Sequence, residues 1–167
     1  MLSKILRNLF ILAILLMNIG CDQVSKSIVR QRIEDNADIK FVLNHITLTK
    51  VENTGAFLSL GASMSTPLKG VFLNGLPLLA LLGGIIFLFG KTNLSKVSRI
   101  GWGCIMGGGI GNIYDRLVYG SVTDFLHIDF GLFETGVFNL ADVSIMMGSC
   151  MLVMEMFLNK KPAVQKD

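Results

Sequence analysis

The stretch GLPLLALLGGIIFLFG at residues 75–90 contains no charged side chain. With the residues before it, it forms an apolar segment from about Leu68 to Phe89, which is long enough for an α-helix to cross a bilayer. Of the 167 residues, 51% are hydrophobic and only 16% are charged, and the mean hydropathy is +0.60. Soluble domains carry about 25% charged residues. The sequence therefore predicts a membrane protein, and its length predicts a single domain over 1–167.

Three further segments are predicted to span the membrane. The first runs from about Ile5 to Ile28, the third from about Ile100 to Asp115, and the fourth from about Phe138 to Leu158. The third is short and is the least apolar of the four. It carries glycines at four-residue spacing, a pattern typical of close helix packing, at Gly103, Gly107 and Gly111.

The charges predict how these spans are oriented, because lysine and arginine mark cytoplasmic segments. Basic residues dominate the segments before the first span, between the second and third, and after the fourth: Lys4, Arg7, Lys91, Lys96, Arg99, Lys160, Lys161 and Lys166. Acidic residues gather in the other two connections, 30–67 and 116–137. An even number of spans then places both termini in the cytoplasm and these two connections outside.

The two outer segments have the pattern of a small β-sheet. Residues 39–60 are rich in β-branched and aromatic side chains and contain the turn sequence Asn53-Thr54-Gly55. In 120–130, Asp124 falls on the same strand face as three apolar residues, Val122, Leu126 and Ile128. A carboxylate there is costly unless it is paired or protonated. The predicted fold is mainly α, with four transmembrane helices and a small extracytoplasmic sheet.

The beginning of the chain has a second interpretation. Basic residues, an apolar run and Gly20-Cys21 could form a cleaved lipoprotein signal peptide. Asn18 does not fit, because a leucine-like residue is expected three positions before the cysteine. The apolar pattern also continues through Val24 and Ile28, which favours a retained span.

Ionisable residues inside spans are costly and therefore point to function. Asp22 and Lys26 lie four residues apart on one face of the first span, where they form either a helix-supporting ion pair or part of a site. Asn112 and Arg116 share one face at the end of the third span, while Asp115 points elsewhere. Arg116 could instead extend to the lipid head groups.

The fourth span opens with a possible capping arrangement. Asn139 is a candidate N-cap, and Asp142, three residues later, could complete the cap and meet the positive helix end. Asp142 could also meet Asp124 across the intervening loop. Two carboxylates within about 3 Å share one proton. The ionised member can then take a proton from water while the protonated member polarises a carbonyl, which is peptide hydrolysis without a covalent intermediate.

Other chemistries find little support. There is no HExxH motif and no G-x-S-x-G motif, and His45 and His127 are isolated, so neither a zinc enzyme nor a serine hydrolase is predicted. The basic residues form no stripe for nucleic acid. A small transporter or assembly factor is the non-enzymatic alternative, but transport sites lie near mid-membrane, whereas these polar residues gather at the outer edge.

Five segments together resemble the lipoprotein signal peptidase (signal peptidase II) family. They are Asp22-Gln23-Val24-Ser25-Lys26, Asn53-Thr54-Gly55-Ala56-Phe57, Gly108-Gly109-Ile110-Gly111-Asn112-Ile113-Tyr114-Asp115-Arg116, Val122-Thr123-Asp124-Phe125 and Phe138-Asn139-Leu140-Ala141-Asp142. Each segment alone is a weak signal, but all five occur in the family's order and on the expected membrane side.

The resemblance implies an aspartic endopeptidase of the bacterial plasma membrane, working at its extracytoplasmic face without metal or cofactor. Such an enzyme removes signal peptides from prolipoproteins by cutting before a diacylglyceryl-modified cysteine. Asp124 and Asp142 match the catalytic pair. The implied substrate-binding residues are Asn53, Gly55, Asn112, Arg116 and Asn139, and the supporting residues are Asp22, Lys26 and Asp115. Prolipoproteins and membrane lipid are the expected partners, with no nucleic acid, and a monomer is expected. An inactive family member is disfavoured because both aspartates are present.

Overall fold

The computed structural model describes residues 2–34, 37–42, 45–56 and 60–158. Phe57 of the second motif and the basic residues after the fourth span, Lys160, Lys161 and Lys166, lie outside the described residues. The described part is built on four long helices. They are α1 (Leu2–Arg32), α2 (Thr66–Gly90), α3 (Lys96–Tyr119) and α4 (Leu140–Leu158). Within α2, residues Gly70–Gly75 form a π-helical segment.

Three of these helices are long and apolar enough to cross a membrane, namely α1, α2 and α4. Their outward faces carry many exposed large apolar side chains, such as Leu16, Leu79, Ile86 and Phe157. This is the surface that contact with lipid favours, and it agrees with a multi-pass membrane protein. Helix α1 is continuous through Asn18 to Cys21, where the sequence also allowed a cleavage site.

Helix α3 has 24 residues and is therefore about 36 Å long at the usual rise. Among the described helices, it is not one of the three that are apolar enough to be identified as spans, so composition alone does not confirm it as the fourth. It packs against α1, α2 and α4, which gives it an interior position. Its buried residues include several glycines: Gly101, Gly103, Gly107, Gly108 and Gly111.

The predicted glycine stripe lies against α1. A β-carbon added at Gly103 would come within 2.7 Å of Ile14, and one at Gly107 within 2.7 Å of Asn18. One at Gly111 would clash with the Asp22 carboxylate. The stripe therefore serves the close packing that its spacing predicts, and it brings α3 against the polar end of α1.

A three-stranded antiparallel sheet follows the order β1 (Ile39–Phe41), β2 (Ile46–Asn53) and β3 (Val122–Ile128). Gly120, with a φ of 78°, ends α3 in the left-handed conformation and turns the chain into β3. The pairing of β2 with β3 shifts register between Leu48 and Val51, where the strand is irregular. Beyond that shift, Val51 pairs with Asp124, which brings the end of β2 beside Asp124.

Candidate active site

Asp124 is held on β3 by two asparagine side chains. It is only 4% exposed. The Asn53 amide donates to one carboxylate oxygen at 2.9 Å, and the Asn139 amide donates to the other at 2.6 Å. Burial raises the pKa of Asp124 to about 6, and the nearby charge of Asp142 adds to this rise. The two hydrogen bonds and the charge of Lys26 oppose it. Asp124 thus takes up a proton far more readily than an exposed aspartate.

Asp142 lies in the first turn of α4, where it forms the predicted reciprocal cap with Asn139. The backbone amide of Asn139 donates to the Asp142 carboxylate at 3.2 Å, and the backbone amide of Asp142 donates to Asn139 Oδ1 at 3.0 Å. The other carboxylate oxygen accepts a hydrogen bond from Asn112 Nδ2 at 2.9 Å. Asn139 and Asp142 therefore belong both to the helix cap and to the candidate site.

A chain of amides joins the two aspartates. Asn139 Nδ2 donates to Asp124 and also lies 3.2 Å from Asn112 Oδ1. Asn112 in turn donates to Asp142. Asn139 and Asn112 thus bridge β3, α3 and α4, so that the two carboxylates are held around one polar centre.

Arg116 and the turn after β2 close one side of this centre. Arg116 Nη2 donates to the Gly55 carbonyl at 3.0 Å. Asn53 folds the turn by accepting from the Gly55 amide at 2.9 Å and donating to the Ala56 carbonyl at 3.0 Å. Arg116 Nε is buried and has no hydrogen-bond partner among the described residues. Arg116 also lines the cavity described below.

Asp22, Lys26 and Asp115 form a buried ionic cluster beneath the amides, and each is 0% exposed. Lys26 Nζ lies 2.8 Å from the Asp22 carboxylate and 3.0 Å from that of Asp115. Asp22 also accepts a hydrogen bond from the Ala141 backbone amide at 3.0 Å, which ties α1 to the start of α4.

Sequence reasoning missed other members of this cluster. Arg30 lies 3.0 Å from Asp115 and donates to Thr123 Oγ1 at 2.7 Å, one residue before Asp124. Gln23 donates to Asp115 at 3.0 Å. The signal for Arg30 was available, because it follows Lys26 by four residues and so shares a helix face with Asp22 and Lys26. No short-range pattern indicates Thr123.

A cavity of about 780 Å³ opens onto the two aspartates. Its polar part is formed by Asn53, Asn112, Arg116, Asp124 and Asp142. Its remaining walls are largely apolar and come from β3, the segment before α4, and α4 itself, including Val122, Ile128, Phe133, Val137, Ile145 and Met146. The site therefore combines a compact polar centre with an apolar surface suited to a hydrophobic substrate.

Other reactive groups lie around this centre, and of these Glu134 also lines the cavity. The Ser25 hydroxyl donates to the Asp22 carbonyl at 2.8 Å. His127, Asp129 and Glu134 place one potential metal-ligand atom each within 4.8 Å of one another at the protein surface. Exposed groups of this kind are common without a metal, and we assign none to them. Cys21, Cys104 and Cys150 are all free thiols, and Cys21 and Cys150 are exposed.

The order of these polar segments along the chain matches a known family. A family model described as signal peptidase (SPase) II matches residues 14–158. The chain belongs to the signal peptidase II family. A lipoprotein signal peptidase of Aquifex aeolicus (strain VF5) is 36% identical over 115 residues, which cover 69% of this chain and 67% of that protein. One from Borreliella afzelii (strain PKo) is 33% identical over 166 residues, 95% of each chain.

A solved structure described as a bacterial membrane enzyme shares the fold of this family member. The TM-score is 0.79 at 19% identity, and the match covers 95% of this chain and 93% of that one. At this identity the likeness concerns the fold alone. It agrees with a mainly helical membrane protein that carries a small antiparallel sheet.

Proposed function

We propose that this chain is an aspartic endopeptidase that removes signal peptides from diacylglyceryl-modified prolipoproteins, cutting before the lipidated cysteine. Membership of the signal peptidase II family supports a protease and argues against the transporter and assembly-factor alternatives. The observation that carries the mechanism is the cavity in which Asp124 and Asp142 meet one amide network.

The proposed chemistry uses one proton shared by the two carboxylates. Because burial and the charge of Asp142 favour the protonated form of Asp124, the pair holds this proton as a unit. The ionised carboxylate takes a proton from water as the water oxygen bonds to the scissile carbonyl carbon. The protonated carboxylate gives its proton to the carbonyl oxygen. The carboxylate that took a proton from water then gives it to the amide nitrogen, and a hydroxyl group of the tetrahedral intermediate returns a proton to the other carboxylate as the carbon–nitrogen bond breaks. The pair is thereby left with one proton again.

Substrate contacts follow from the cavity lining. Arg116 lines the cavity, where its guanidinium group can bind a main-chain carbonyl, and Asn112 and Asn139 already orient their amides at the aspartates. The apolar walls accommodate the residues around the cleavage site. Such positioning can contribute several kcal/mol to lowering the barrier. Asn53 and Gly55 act through the turn that Arg116 contacts.

We further propose that α3 is a fourth transmembrane helix. Its interior position explains its lower hydropathy, since its polar and glycine residues face α1 and α4 rather than lipid. With four spans, the basic segments lie in the cytoplasm together with both termini, and the sheet and the aspartates lie at the extracytoplasmic face of the bacterial plasma membrane. The chain is proposed to act as one domain and as a monomer, with prolipoproteins and membrane lipid as its partners.

The function is tested in bacteria depleted of their own lipoprotein signal peptidase. Expression of this chain should convert accumulated, lipid-modified prolipoprotein to the mature form, while a prolipoprotein whose cysteine is replaced by serine stays uncut. The Asp124→Asn chain should restore no processing at equal membrane abundance. Failure of the unaltered chain, or equal cutting of the serine substrate, would contradict the proposed substrate class.

A further inference from the structure

We infer that Lys26 is a positioning residue that fixes the orientation of the Asn112 side chain, and thereby holds Asp142 in its working place. This inference rests on the proposed function, because it assigns Lys26 a part in the same hydrolysis. Lys26 is fully buried and lies behind Asn112, which itself lines the cavity, so Lys26 acts without touching the substrate.

The ammonium of Lys26 lies within 3.0 Å of oxygen atoms on three different residues. They are Asp22 at 2.8 Å, Asp115 at 3.0 Å and Asn112 Oδ1 at 2.9 Å. The ammonium donates hydrogen bonds to Asp22 and Asn112 and forms an ion pair with Asp115. Two of the acceptors are carboxylates on α1 and α3, which anchor the cation between the helices. The third bond is then directed at the Asn112 oxygen.

That bond decides which end of the Asn112 amide faces Asp142. Asn112 Oδ1 accepts from Lys26 and from Asn139 Nδ2, and Asn112 Nδ2 donates to the Asp142 carboxylate. With the amide turned over, its NH₂ group would face the ammonium and the Asn139 donor, and its oxygen would face the carboxylate. All three contacts would become repulsive. The cation therefore selects the orientation in which Asn112 binds Asp142.

The first test compares Lys26→Met with Lys40→Met, the same change at an exposed lysine on β1 that lies outside the site. Activity is measured as cleavage of a synthetic diacylglyceryl lipopeptide by purified enzyme in lipid. We expect kcat of Lys26→Met to fall on the order of 10²-fold, the loss that a misplaced catalytic geometry causes, with KM nearly unchanged. Lys40→Met should match the unaltered enzyme. A raised KM with unchanged kcat would overturn the inference.

The second test asks whether Lys26 acts through Asn112. In a double-mutant cycle, Lys26→Met should cause no further loss of kcat in an Asn112→Ala background, because the side chain that it orients is absent. An equal loss in both backgrounds would contradict the inference.

Removal of the cation alone leaves two buried carboxylates short of a partner, which could unfold the protein. The paired change Lys26→Met with Asp22→Asn removes one charge of each sign and keeps an oxygen for the Ala141 amide. It should retain the thermal stability of the native enzyme and still lose kcat. Full activity of this folded variant would refute the role of Lys26. If the unaltered enzyme does not cleave the lipopeptide, the proposed function itself fails. If Asp124→Asn and Asp142→Asn are active, the aspartate-pair mechanism fails, whatever Lys26 does.

Discussion

In the proposed mechanism, Asp124 sets the pH range in which the carboxylate pair holds its shared proton. Its pKa is raised to about 6, chiefly by burial, while the charged groups around it act in both directions. Asp142 favours its protonation, and Lys26 opposes it. Arg116 is also a charged neighbour, since it interacts electrostatically with Asp124. As pH rises through the pKa, the pair loses its shared proton. We therefore expect kcat/KM to fall on the alkaline side.

Substitution of Asn53 should change the pH at which kcat/KM falls on the alkaline side, called here the alkaline limb. Its hydrogen bond lowers the pKa of Asp124, so Asn53→Ala should raise that pKa and shift the alkaline limb of kcat/KM to higher pH. The measurement is a pH–rate profile on the lipopeptide. Asn93→Ala, at an exposed asparagine beyond the end of α2, should leave the limb in place. A limb that stays or moves to lower pH in Asn53→Ala would show that Asp124 does not control it.

Some side-chain contacts of the site could be predicted from the sequence and others could not. The Asn139–Asp142 cap was predictable, because both partners lie within one helical turn. The pairing of Asp22 with Lys26 was predictable for the same reason. The hydrogen bond from Asn139 to Asp124 was not predictable, because its geometry depends on how β3 and α4 pack together.

At the scale of whole elements, the close contact between α3 and α4 depends on a glycine. A β-carbon added at Gly108 would collide with the Ala141 carbonyl and come within 2.9 Å of Ile145 Cγ1. We predict that Gly108→Ala lowers the free energy of unfolding by about 1–3 kcal/mol, as overpacked cores do. It should also lower activity, because α3 and α4 carry Asn112 and Asp142.

Thermal unfolding in detergent and lipopeptide cleavage measure these two effects. Gly83→Ala is the matched control, since a β-carbon there meets open space and alanine favours a helix by about 1 kcal/mol. It should be neutral or stabilising. Equal stability of the two variants would mean that the α3–α4 contact is less tight than described.

The helices and strands show where sequence patterns work and where they fail. Hydropathy predicted α1, α2 and α4 within a few residues, because their outer faces remain apolar. It was weakest for α3, whose glycines and Asn112 face other helices. In the sheet, the register shift between Leu48 and Val51 breaks the simple alternation of faces. Such a shift depends on pairing with β3 and leaves no reliable mark in β2 itself.

At the scale of the whole molecule, the four-span arrangement makes a prediction about sidedness. In a background without the native cysteines, single cysteines replace Lys40 on β1, Lys91 between α2 and α3, and Leu132 between β3 and α4. A membrane-impermeant maleimide should label Lys40→Cys and Leu132→Cys in intact spheroplasts. Lys91→Cys should react only after the membrane is disrupted. If α3 does not cross the membrane, the cysteines at 91 and 132 will react alike.

The whole account depends on Asp124 and Asp142 acting as one catalytic pair. The most direct measurement is kcat/KM of purified Asp124→Asn and Asp142→Asn on a diacylglyceryl lipopeptide, with Asp129→Asn at the end of the same strand as the control. Because each aspartate has its own proton-transfer role, each variant should lose on the order of 10³-fold or more while remaining folded. Asp129→Asn should stay close to the native rate. Near-native cleavage by either Asp124→Asn or Asp142→Asn would contradict the aspartate-pair mechanism.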